Sequence, residues 1–197
     1  MQRQNKQIGK SGGSPPGRLR IVAGKWRSRL LPVADVPGLR PTSERLRETL
    51  FNWLAPTIEG TKCLDLFAGT GALGLEALSR GASSVDFVEI SKVAATALCE
   101  NIQTLNATNT DVHQANAMTF LDSEPPTQYD TVFLDPPFAT DSYQELCRLL
   151  ASHNWLAKGA HIYLEQDSSQ QVPDLPEGWN LLKEKTTGNV RYSLIRT

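Results

Sequence analysis

Apolar and polar residues alternate along this chain in two rhythms, one typical of buried strands and the other of amphipathic helices. Short apolar runs that end at turn residues predict five strands, at residues 62–67, 84–89, 111–114, 129–134 and 160–165. Helices are predicted between these strands, at residues 75–80, 91–106 and 142–152. Ahead of the first strand, apolar side chains recur at helical spacing and predict a further helix with a buried face, at Leu46, Leu50, Trp53 and Leu54.

The last part of the chain has a different pattern. Residues 179–185 and 190–196 flank Thr187-Gly188-Asn189 and predict a closing hairpin. Strands that alternate with helices predict a mostly parallel sheet joined by right-handed crossovers. The expected fold class is therefore α/β. A chain of 197 residues, 40% of them apolar, is long enough for one domain with a real core, which we place at residues 18–197.

The strand predicted at residues 129–134 stops at Asp135-Pro136-Pro137-Phe138. Prolines cannot donate to a sheet ladder, so they fix the exit of the chain at the carboxyl end of the strand, where open α/β sheets bind ligands. Asp135 and the Pro136 carbonyl can accept the two N–H groups of an amine on a flat ring, and Phe138 can stack on that ring. These residue types indicate methyl transfer to an exocyclic base amine by positioning and electrostatics. The alternative is a turn that only closes the strand.

A glycine-rich segment follows the first predicted strand. Gly69, Gly71 and Gly74 fit the spacing G-x-G-x-x-G, in which the backbone turns sharply and comes close to a nucleotide-like ligand. The next strand ends at Glu89, the position that grips ribose hydroxyls in such folds. A solvated strand end is the competing interpretation for Glu89. The glycine spacing would also fit a nicotinamide-dependent oxidoreductase, which would leave residues 135–138 without a role.

Together, Asp65-Leu-Phe-Ala-Gly-Thr-Gly71 and Asp135-Pro-Pro-Phe138 resemble the motifs of class I S-adenosylmethionine methyltransferases that act on exocyclic base nitrogens. Residues 18–27 and 39–53 narrow this resemblance, because they are similar to the RsmD family of bacterial 16S rRNA guanine-N2 methyltransferases. The resemblance implies a Rossmann-like, mostly parallel seven-stranded sheet with a C-terminal antiparallel hairpin. It also implies a small basic N-terminal β-hairpin at residues 18–40, followed by a catalytic core at residues 41–197.

The resemblance implies the cofactor, the substrate and the site residues as well. The cofactor is expected to be S-adenosyl-L-methionine, and the target the N2 amine of guanine 966 in 16S rRNA on an assembling small ribosomal subunit. The catalytic residues implied are Asp135, Pro136, Pro137 and Phe138. The cofactor would be bound by Asp65, Phe67, Ala68, Gly69, Gly71, Glu89, Ile90, Asn116 and Ala117. The superfamily often has an acidic residue at the position of Asn116-Ala117, where the Asn carbonyl can accept the same bond from the adenine amine without a charge.

The net charge of −1 hides an asymmetry between the two ends of the chain. Residues 1–34 carry eight Lys or Arg and no Asp or Glu, whereas the rest of the chain has nine more acidic than basic residues. A basic arm of this kind is typical of a segment that meets a polyanion. Residues 1–17 are rich in Gly, Ser and Pro, and for them we expect a flexible basic tail.

From residue 18 onwards, basic residues alternate with apolar ones. This alternation predicts a β-hairpin that turns at Gly24-Lys25, with Arg18 and Arg20 on one face of the first strand and Arg27 and Arg29 on one face of its partner. Such a ribbon can follow RNA phosphates. The residues expected to contact RNA are Arg18, Arg20, Lys25, Arg27, Arg29, Arg40, Thr42, Arg45 and Arg47. Surface salt bridges are the alternative for Arg40, Arg45 and Arg47.

The remaining composition narrows the class of protein. Cys63, Cys99 and Cys147 are far apart and predict reduced packing thiols, and no histidine has ligand-like spacing, so we expect no metal site. No segment has the length and apolarity of a membrane span or a signal core, so a cytoplasmic protein is expected. We also expect the protein to be a monomer. Three alternatives remain: methylation of another exocyclic base amine, methylation of a protein glutamine, whose motif usually begins with Asn, and a non-catalytic RNA-binding module, which would not need the glycine loop.

Overall fold

The computed structural model describes residues 17–36, 39, 42–137 and 143–197. Two short strands come first, β1 (Arg18–Arg20) and β2 (Leu30–Pro32), and helix α1 (Glu44–Leu54) follows them. Strands and helices then alternate and end in two consecutive strands: β3 (Lys62–Asp65), α2 (Ala72–Ser79), β4 (Ser84–Val88), α3 (Lys92–Leu105), β5 (Thr110–His113), α4 (Ala117–Leu121), β6 (Tyr129–Leu134), α5 (Tyr143–Ser152), β7 (Leu156–Asp167), β8 (Asn180–Thr187) and β9 (Val190–Arg196).

Strands β3 to β9 form one seven-stranded sheet in the order β5-β4-β3-β6-β7-β9-β8. The first five strands of this order are parallel, and β9 lies antiparallel to both β7 and β8. The predicted mostly parallel sheet with a closing antiparallel hairpin is confirmed. The chain builds outward from β3 to β5 and then returns, so that β6 pairs with the other side of β3. This reversal creates the topological switch point at which open α/β sheets bind ligands.

Side chains on the two faces of the sheet belong to two separate cores. Phe133 of β6 packs with residues of the N-terminal hairpin, α1, α2 and α3. Its neighbours Val132 and Leu134 pack with residues of α4 and α5 on the opposite face. Because both faces are buried, the central strands are apolar along their whole length, which explains the continuous apolar runs in the sequence. The alternation also assigns Asp135, two residues after Phe133, to the side that carries α1 and α2.

The predicted helices and strands correspond to the observed ones, with shifted ends. Helix α3 has Ser91 as its N-cap, which accepts from the N–H of Ala94 at 3.3 Å. The chain leaves α3 at Asn106, whose φ of +50° places it in the left-handed conformation typical of a helix end. Strand β7 is longer than the run at residues 160–165, and the five-residue helix α4 was not predicted. Each helix in the described ranges is too short or too polar to span a bilayer.

The N-terminal hairpin differs from its prediction. Strands β1 and β2 pair from Arg18↔Pro32 to Arg20↔Leu30, so Arg27 and Arg29 lie outside the partner strand and their predicted common strand face is wrong. The reason lies in the segment between the strands: the N–H groups of Val22, Ala23, Lys25 and Trp26 bind helix α2, and those of Arg27 and Arg29 bind carbonyls of the same turn. The N–H of Lys25 donates to the Ser79 carbonyl at 2.6 Å, and the N–H of Trp26 donates to the Ser79 hydroxyl at 3.0 Å.

Candidate active site

Strand β3 delivers a carboxylate to the base of the glycine loop. Asp65 is only 2% exposed, and its Oδ2 accepts a hydrogen bond from the N–H of Gly74, in the first turn of α2, at 3.0 Å. Burial raises the pKa of Asp65 to about 7, although the hydrogen bond from Gly74 opposes this change. Asp65 therefore lies beneath the loop and fixes its shape, and its contact with a cofactor stays a prediction.

The loop requires glycine for its conformation and for its packing. Gly69 and Gly71 have φ values of +53° and +76°, a region that residues with side chains rarely adopt. A Cβ on Gly71 would also lie 2.4 Å from Leu98 of α3. At Gly74 the requirement is steric, because a Cβ would lie 2.2 Å from the ring of Phe87 on β4. Gly71 and Gly74 are buried and let α2 pack close to α3 and the sheet, while Gly69 stays partly exposed at the switch point.

Glu89 follows β4 and connects the glycine loop to helix α3. Its Oε2 accepts from the N–H of Gly69 at 2.8 Å, and its Oε1 accepts from the N–H of Ser91 at 2.7 Å. A carboxylate oxygen can accept two hydrogen bonds, so each oxygen can still receive a hydroxyl. The interpretation of Glu89 as only a solvated strand end is therefore wrong, while its ribose contact stays a prediction. The next residue, Ile90, is 66% exposed and presents an apolar side chain beside this carboxylate.

Asn116 has a structural partner that the sequence did not indicate. It is the N-cap of α4, and its Oδ1 accepts from the N–H groups of Met118 at 2.9 Å and Thr119 at 3.3 Å. This is the oxygen for which an adenine contact was predicted, so such a contact would have to replace part of the helix cap. Ala117, the first residue of α4, is buried.

Asp135 follows β6 and is the carboxylate nearest the exit of that strand. Thr42, which precedes the N-cap of α1, donates its hydroxyl to Oδ2 of Asp135 at 3.2 Å. Burial raises the pKa of Asp135 well above its ordinary value, the carboxylates of Glu165 and Asp65 raise it further, and the Thr42 hydrogen bond lowers it. Glu165 on β7 is itself buried, with a raised pKa, and accepts from the Tyr163 hydroxyl at 2.6 Å.

The rest of the predicted catalytic motif is only partly within the described residues. Pro136 is buried and Pro137 is exposed, directly after the carboxyl end of β6. Phe138 lies outside the described residues, as does Arg40 of the predicted RNA-contacting set. Among the described residues, no group of three or more His, Cys, Asp or Glu side chains could hold a metal ion.

The N-terminal arm is fixed to the fold by one buried carboxylate, Glu76 in the middle of α2. Its side chain is fully buried, and its two oxygens accept four hydrogen bonds, two each. The donors are the N–H groups of Val22 at 2.8 Å and Ala23 at 3.0 Å, Nη1 of Arg47 at 3.1 Å and Nε of Arg80 at 2.8 Å. The four donors supply the bonds that a buried charge requires.

Arg47 completes this anchor from helix α1. Besides Glu76, its guanidinium donates to the carbonyl of Arg20 at 2.8 Å and to the carbonyl of Thr42 at 3.1 Å. Burial lowers the pKa of Arg47, an effect that the carboxylate of Glu76 opposes. The side chain is 1% exposed, so the prediction that Arg47 contacts RNA is wrong: its hydrogen-bonding capacity is used to join the arm, α1 and α2.

The other described basic residues of the predicted RNA surface are exposed: Arg18, Arg20, Lys25, Arg27, Arg29 and Arg45. Nε of Arg20 lies 3.5 Å from Oε1 of Glu44, and Nη2 of Arg29 donates to the Thr104 carbonyl at 3.1 Å. Nζ of Lys25 lies over the Trp26 ring, 5.4 Å from the ring centroid. The turn between β1 and β2 therefore keeps its charges at the surface although it is not a strand, and RNA contact by these residues stays a prediction.

Sequence reasoning missed Glu76, and a usable signal was present. Helix α2 has buried residues at every position, and Glu76 is its one acidic residue. A charge in an otherwise apolar buried helix requires partners, so its presence indicates an internal ion pair even before the partners are known. Glu165, which follows the buried residues 162–164 of β7, is a similar case.

These features define a class of protein. The sheet reverses its strand order between β3 and β6, a glycine loop follows β3, and an acidic residue with two prolines follows β6. This is the architecture of a class I methyltransferase. The match to a family model described as "Conserved hypothetical protein 95" covers residues 19–196.

The relatives identify the family more narrowly. Ribosomal RNA small subunit methyltransferase D of Escherichia coli K12 is 48% identical over 181 residues, covering 92% of this chain and 91% of that protein. Its namesake in Haemophilus influenzae is 48% identical over 182 residues, covering 90% and 93%. The solved structure of yhhF from Escherichia coli has a TM-score of 0.86 at 46% identity, covering 91% of this chain and 98% of that one. This chain therefore belongs to the RsmD family, as its motifs indicated.

Proposed function

We propose that this protein transfers the methyl group of S-adenosylmethionine to the exocyclic N2 amine of a guanine in 16S rRNA, and that this guanine is number 966. S-adenosylmethionine is the cofactor of this class of methyltransferases. The observation that carries the proposal is the position of Asp135, a half-buried acceptor at the carboxyl end of β6, beside the glycine loop that follows β3. The relatives named as small-subunit rRNA methyltransferases support an rRNA substrate.

The residues at the switch point fit an adenosyl cofactor. Gly69 is partly exposed and has no side chain to hinder close approach of a ligand to its backbone, and Glu89 keeps acceptor capacity on both oxygens for ribose hydroxyls. Ile90 presents an exposed apolar side chain that an adenine ring can cover. The cofactor supplies an activated methyl group on a sulfonium, and the protein supplies position and electrostatics.

Asp135 would act on the target amine through hydrogen bonding. The lone pair of an exocyclic amine is delocalised into the ring, so accepting both of its N–H bonds helps the nitrogen to pyramidalise and to direct the lone pair at the methyl group. Oδ1 of Asp135 can accept one N–H and the Pro136 carbonyl the other, while Phe138 is proposed to stack on the base. The ionised form of Asp135 suits this role best, because both of its oxygens then accept, whereas a carboxyl protonated on Oδ1 would place a donor against another donor.

The exposed basic residues would hold the RNA while the target leaves its stack. Flipping a base out costs a few kcal/mol, and phosphate contacts by Arg18, Lys25, Arg27 and Arg29 can offset that cost through counterion release. The network around Glu76 supports this role, because it fixes the arm to the helix that follows the glycine loop. The RNA surface and the methylation site would therefore keep a constant relative position.

Mass spectrometry of the small-subunit rRNA tests the proposal. Unmodified small subunits from cells without the protein are incubated with labelled cofactor and either the wild type or the Asp135→Ala variant. We expect N2-methylguanosine in one rRNA fragment with the wild type only. N6-methyladenosine or N4-methylcytidine would instead indicate another base amine, and label in a ribosomal protein would indicate glutamine methylation. Either result would contradict the proposal.

A further inference from the structure

Thr42, for which RNA contact stays a prediction, is half-buried, and its hydroxyl faces Asp135. It donates to Oδ2 of Asp135 at 3.2 Å across 93 residues of sequence. Thr42 stands immediately before Ser43, whose side chain caps α1 by accepting from the N–H of Leu46 at 3.2 Å. The start of α1 is thereby held against the end of β6.

We propose that Thr42 is a positioning residue for methyl transfer, which holds Oδ2 of Asp135 and so leaves Oδ1 directed at the target amine. This inference rests on the amine methylation proposed above. A carboxylate on a freely rotating side chain would present either oxygen at a range of angles, whereas the hydroxyl bond selects one orientation. Preorganisation of this kind acts before substrate binds, when the acceptor must already point to where the N–H will be.

The backbone of Thr42 is bound in turn by Arg47, which belongs to the buried network around Glu76. Nε of Arg47 donates to the Thr42 carbonyl, and Nη1 of the same guanidinium donates to Glu76 on α2. A continuous chain of hydrogen bonds therefore runs from the helix after the glycine loop, through Arg47 and Thr42, to Asp135. Because Arg47 and Glu76 are fully buried, this chain has little freedom to move. The cofactor loop and the proposed methyl acceptor site share one rigid support.

The same bond affects the charge of Asp135. The groups that face this carboxyl are the carboxyls of Glu165 and Asp65 and the hydroxyls of Tyr143 and Tyr163. Burial and the two acids raise the pKa of Asp135, and the Thr42 hydroxyl opposes them. In a variant without the Thr42 hydroxyl, the pKa of Asp135 rises further. As the pH falls, such a variant therefore loses the ionised form of Asp135 at a higher pH than the wild type does.

The test compares Thr42→Val, which has nearly the same shape but no hydroxyl, with Thr42→Ser, which keeps the hydroxyl. The full-length proteins are assayed on unmodified small subunits for kcat, KM, RNA affinity and the pH dependence of single-turnover methylation. We expect Thr42→Val to lower kcat roughly tenfold to a hundredfold, the effect of losing a hydrogen bond to a charged group. The acidic limb of its pH profile should move to higher pH, while Thr42→Ser stays close to the wild type on both measures.

Thermal unfolding and cofactor affinity serve as controls, and Thr42→Ala replaces the valine variant if that variant does not fold. An unchanged kcat and pH profile in the variant without a hydroxyl would overturn the inference and leave methylation itself intact. A rise in KM with weaker RNA binding and an unchanged pH profile would also overturn it, in favour of RNA contact by Thr42. Wild-type protein that methylates no guanine amine would overturn the proposed function and this inference together.

Discussion

Glu76 is a fully buried acidic residue and Asp135 a half-buried one, and the fold uses them in opposite ways. Glu76 accepts four hydrogen bonds, two to each oxygen, from two backbone N–H groups and two arginines. Asp135 receives the Thr42 hydroxyl on one oxygen and lies near two other carboxyls, Glu165 and Asp65, that oppose its ionisation. The environment of Glu76 stabilises its charge but leaves no oxygen free to accept from a ligand. The environment of Asp135 leaves Oδ1 available as an acceptor, but it raises the pKa of the carboxyl.

Glu89 is intermediate between these two residues. Its oxygens each accept one backbone N–H, from Gly69 and Ser91, so it both shapes the loop and retains acceptor capacity for a ligand. The number of donors that already occupy a carboxylate thus separates an anchoring acid from a ligand-facing one. This criterion is physical and can be tested by removing each acid in turn.

The largest effect is expected from Glu76→Ala. This change leaves the guanidinium of Arg47 buried without its carboxylate and removes the acceptor of two backbone N–H groups in the arm. We expect the free energy of unfolding to fall by about 3–5 kcal/mol, as when one partner of a buried ion pair is removed. Urea denaturation measures the loss.

The matched control for that experiment is Glu145→Ala, which breaks the exposed ion pair with Arg148 on α5. Its unfolding curve should coincide with that of the wild type, since exposed pairs of this kind contribute little. Equal stability of Glu76→Ala and Glu145→Ala would contradict the view of Glu76 as the anchor of the arm.

Asp135→Ala should have its effect on catalysis and not on folding. Loss of one preorganised polar partner lowers turnover by at least ~100-fold in comparable sites. The free energy of unfolding should stay the same or increase, because the change removes an acid that is buried near two others. Single-turnover methylation measures the loss of turnover, and denaturation of the same preparation measures the stability. Asp135→Asn should keep part of the rate through its amide oxygen. Wild-type rates in Asp135→Ala would mean that the motif is only a turn.

Glu89→Ala should weaken cofactor binding. Removal of a charge-assisted hydrogen bond to ribose is expected to cost about 1.5–3 kcal/mol of binding free energy, which calorimetry with S-adenosylhomocysteine measures. Glu89→Gln is the matched variant, because it keeps the size of the side chain and one acceptor oxygen while removing the charge. Its affinity for S-adenosylhomocysteine should lie between those of the wild type and Glu89→Ala. Unchanged affinity in Glu89→Ala, or tighter binding of NAD by the wild type, would remove the assignment.

The smallest effect is expected on the RNA surface, from Arg27→Ala combined with Arg29→Ala. If both side chains contact phosphates, the log–log dependence of RNA affinity on salt should flatten by about 1.4, at roughly 0.7 per contact on single-stranded RNA. Cofactor affinity should not change. The control is Lys183→Ala with Lys185→Ala, two exposed charges on β8, for which the slope should stay that of the wild type. Equal slopes for all three proteins would exclude the turn between β1 and β2 as the RNA contact.

The sheet and the positions of the two motifs were predictable because their signals are local. An apolar run, a glycine turn or a pair of prolines determines backbone conformation within a few residues. Helix α4 was missed because five residues are too few to show a helical period. The extent of the β1–β2 hairpin was wrong because the backbone donors of Val22 and Ala23 bind Glu76, more than fifty residues further along the chain.

The roles of individual arginines were beyond local signals altogether. Arg47 and Arg27 are the same residue type and were both expected to contact RNA, but Arg47 is buried between α1 and α2 while Arg27 is exposed. Thr42 is a comparable case, since its partner Asp135 lies 93 residues away in the sequence. Sequence pattern predicted which segments meet at the switch point, and tertiary packing determines which side chain of each segment faces inward.

The strand order also has a consequence for how this protein folds. The segment from β3 to β5 joins elements that follow one another in sequence, so its contacts close short loops. The contact between β3 and β6 closes a much longer loop, because Asp130 comes 68 positions after Lys62, and loop closure of this kind carries an entropic cost and slows folding. We expect the half that carries the glycine loop to become protected from hydrogen exchange before β6 docks. On a ribosome that is still synthesising the chain, the loop could therefore form early, while Asp135 would take its place beside it only after most of the polypeptide has emerged.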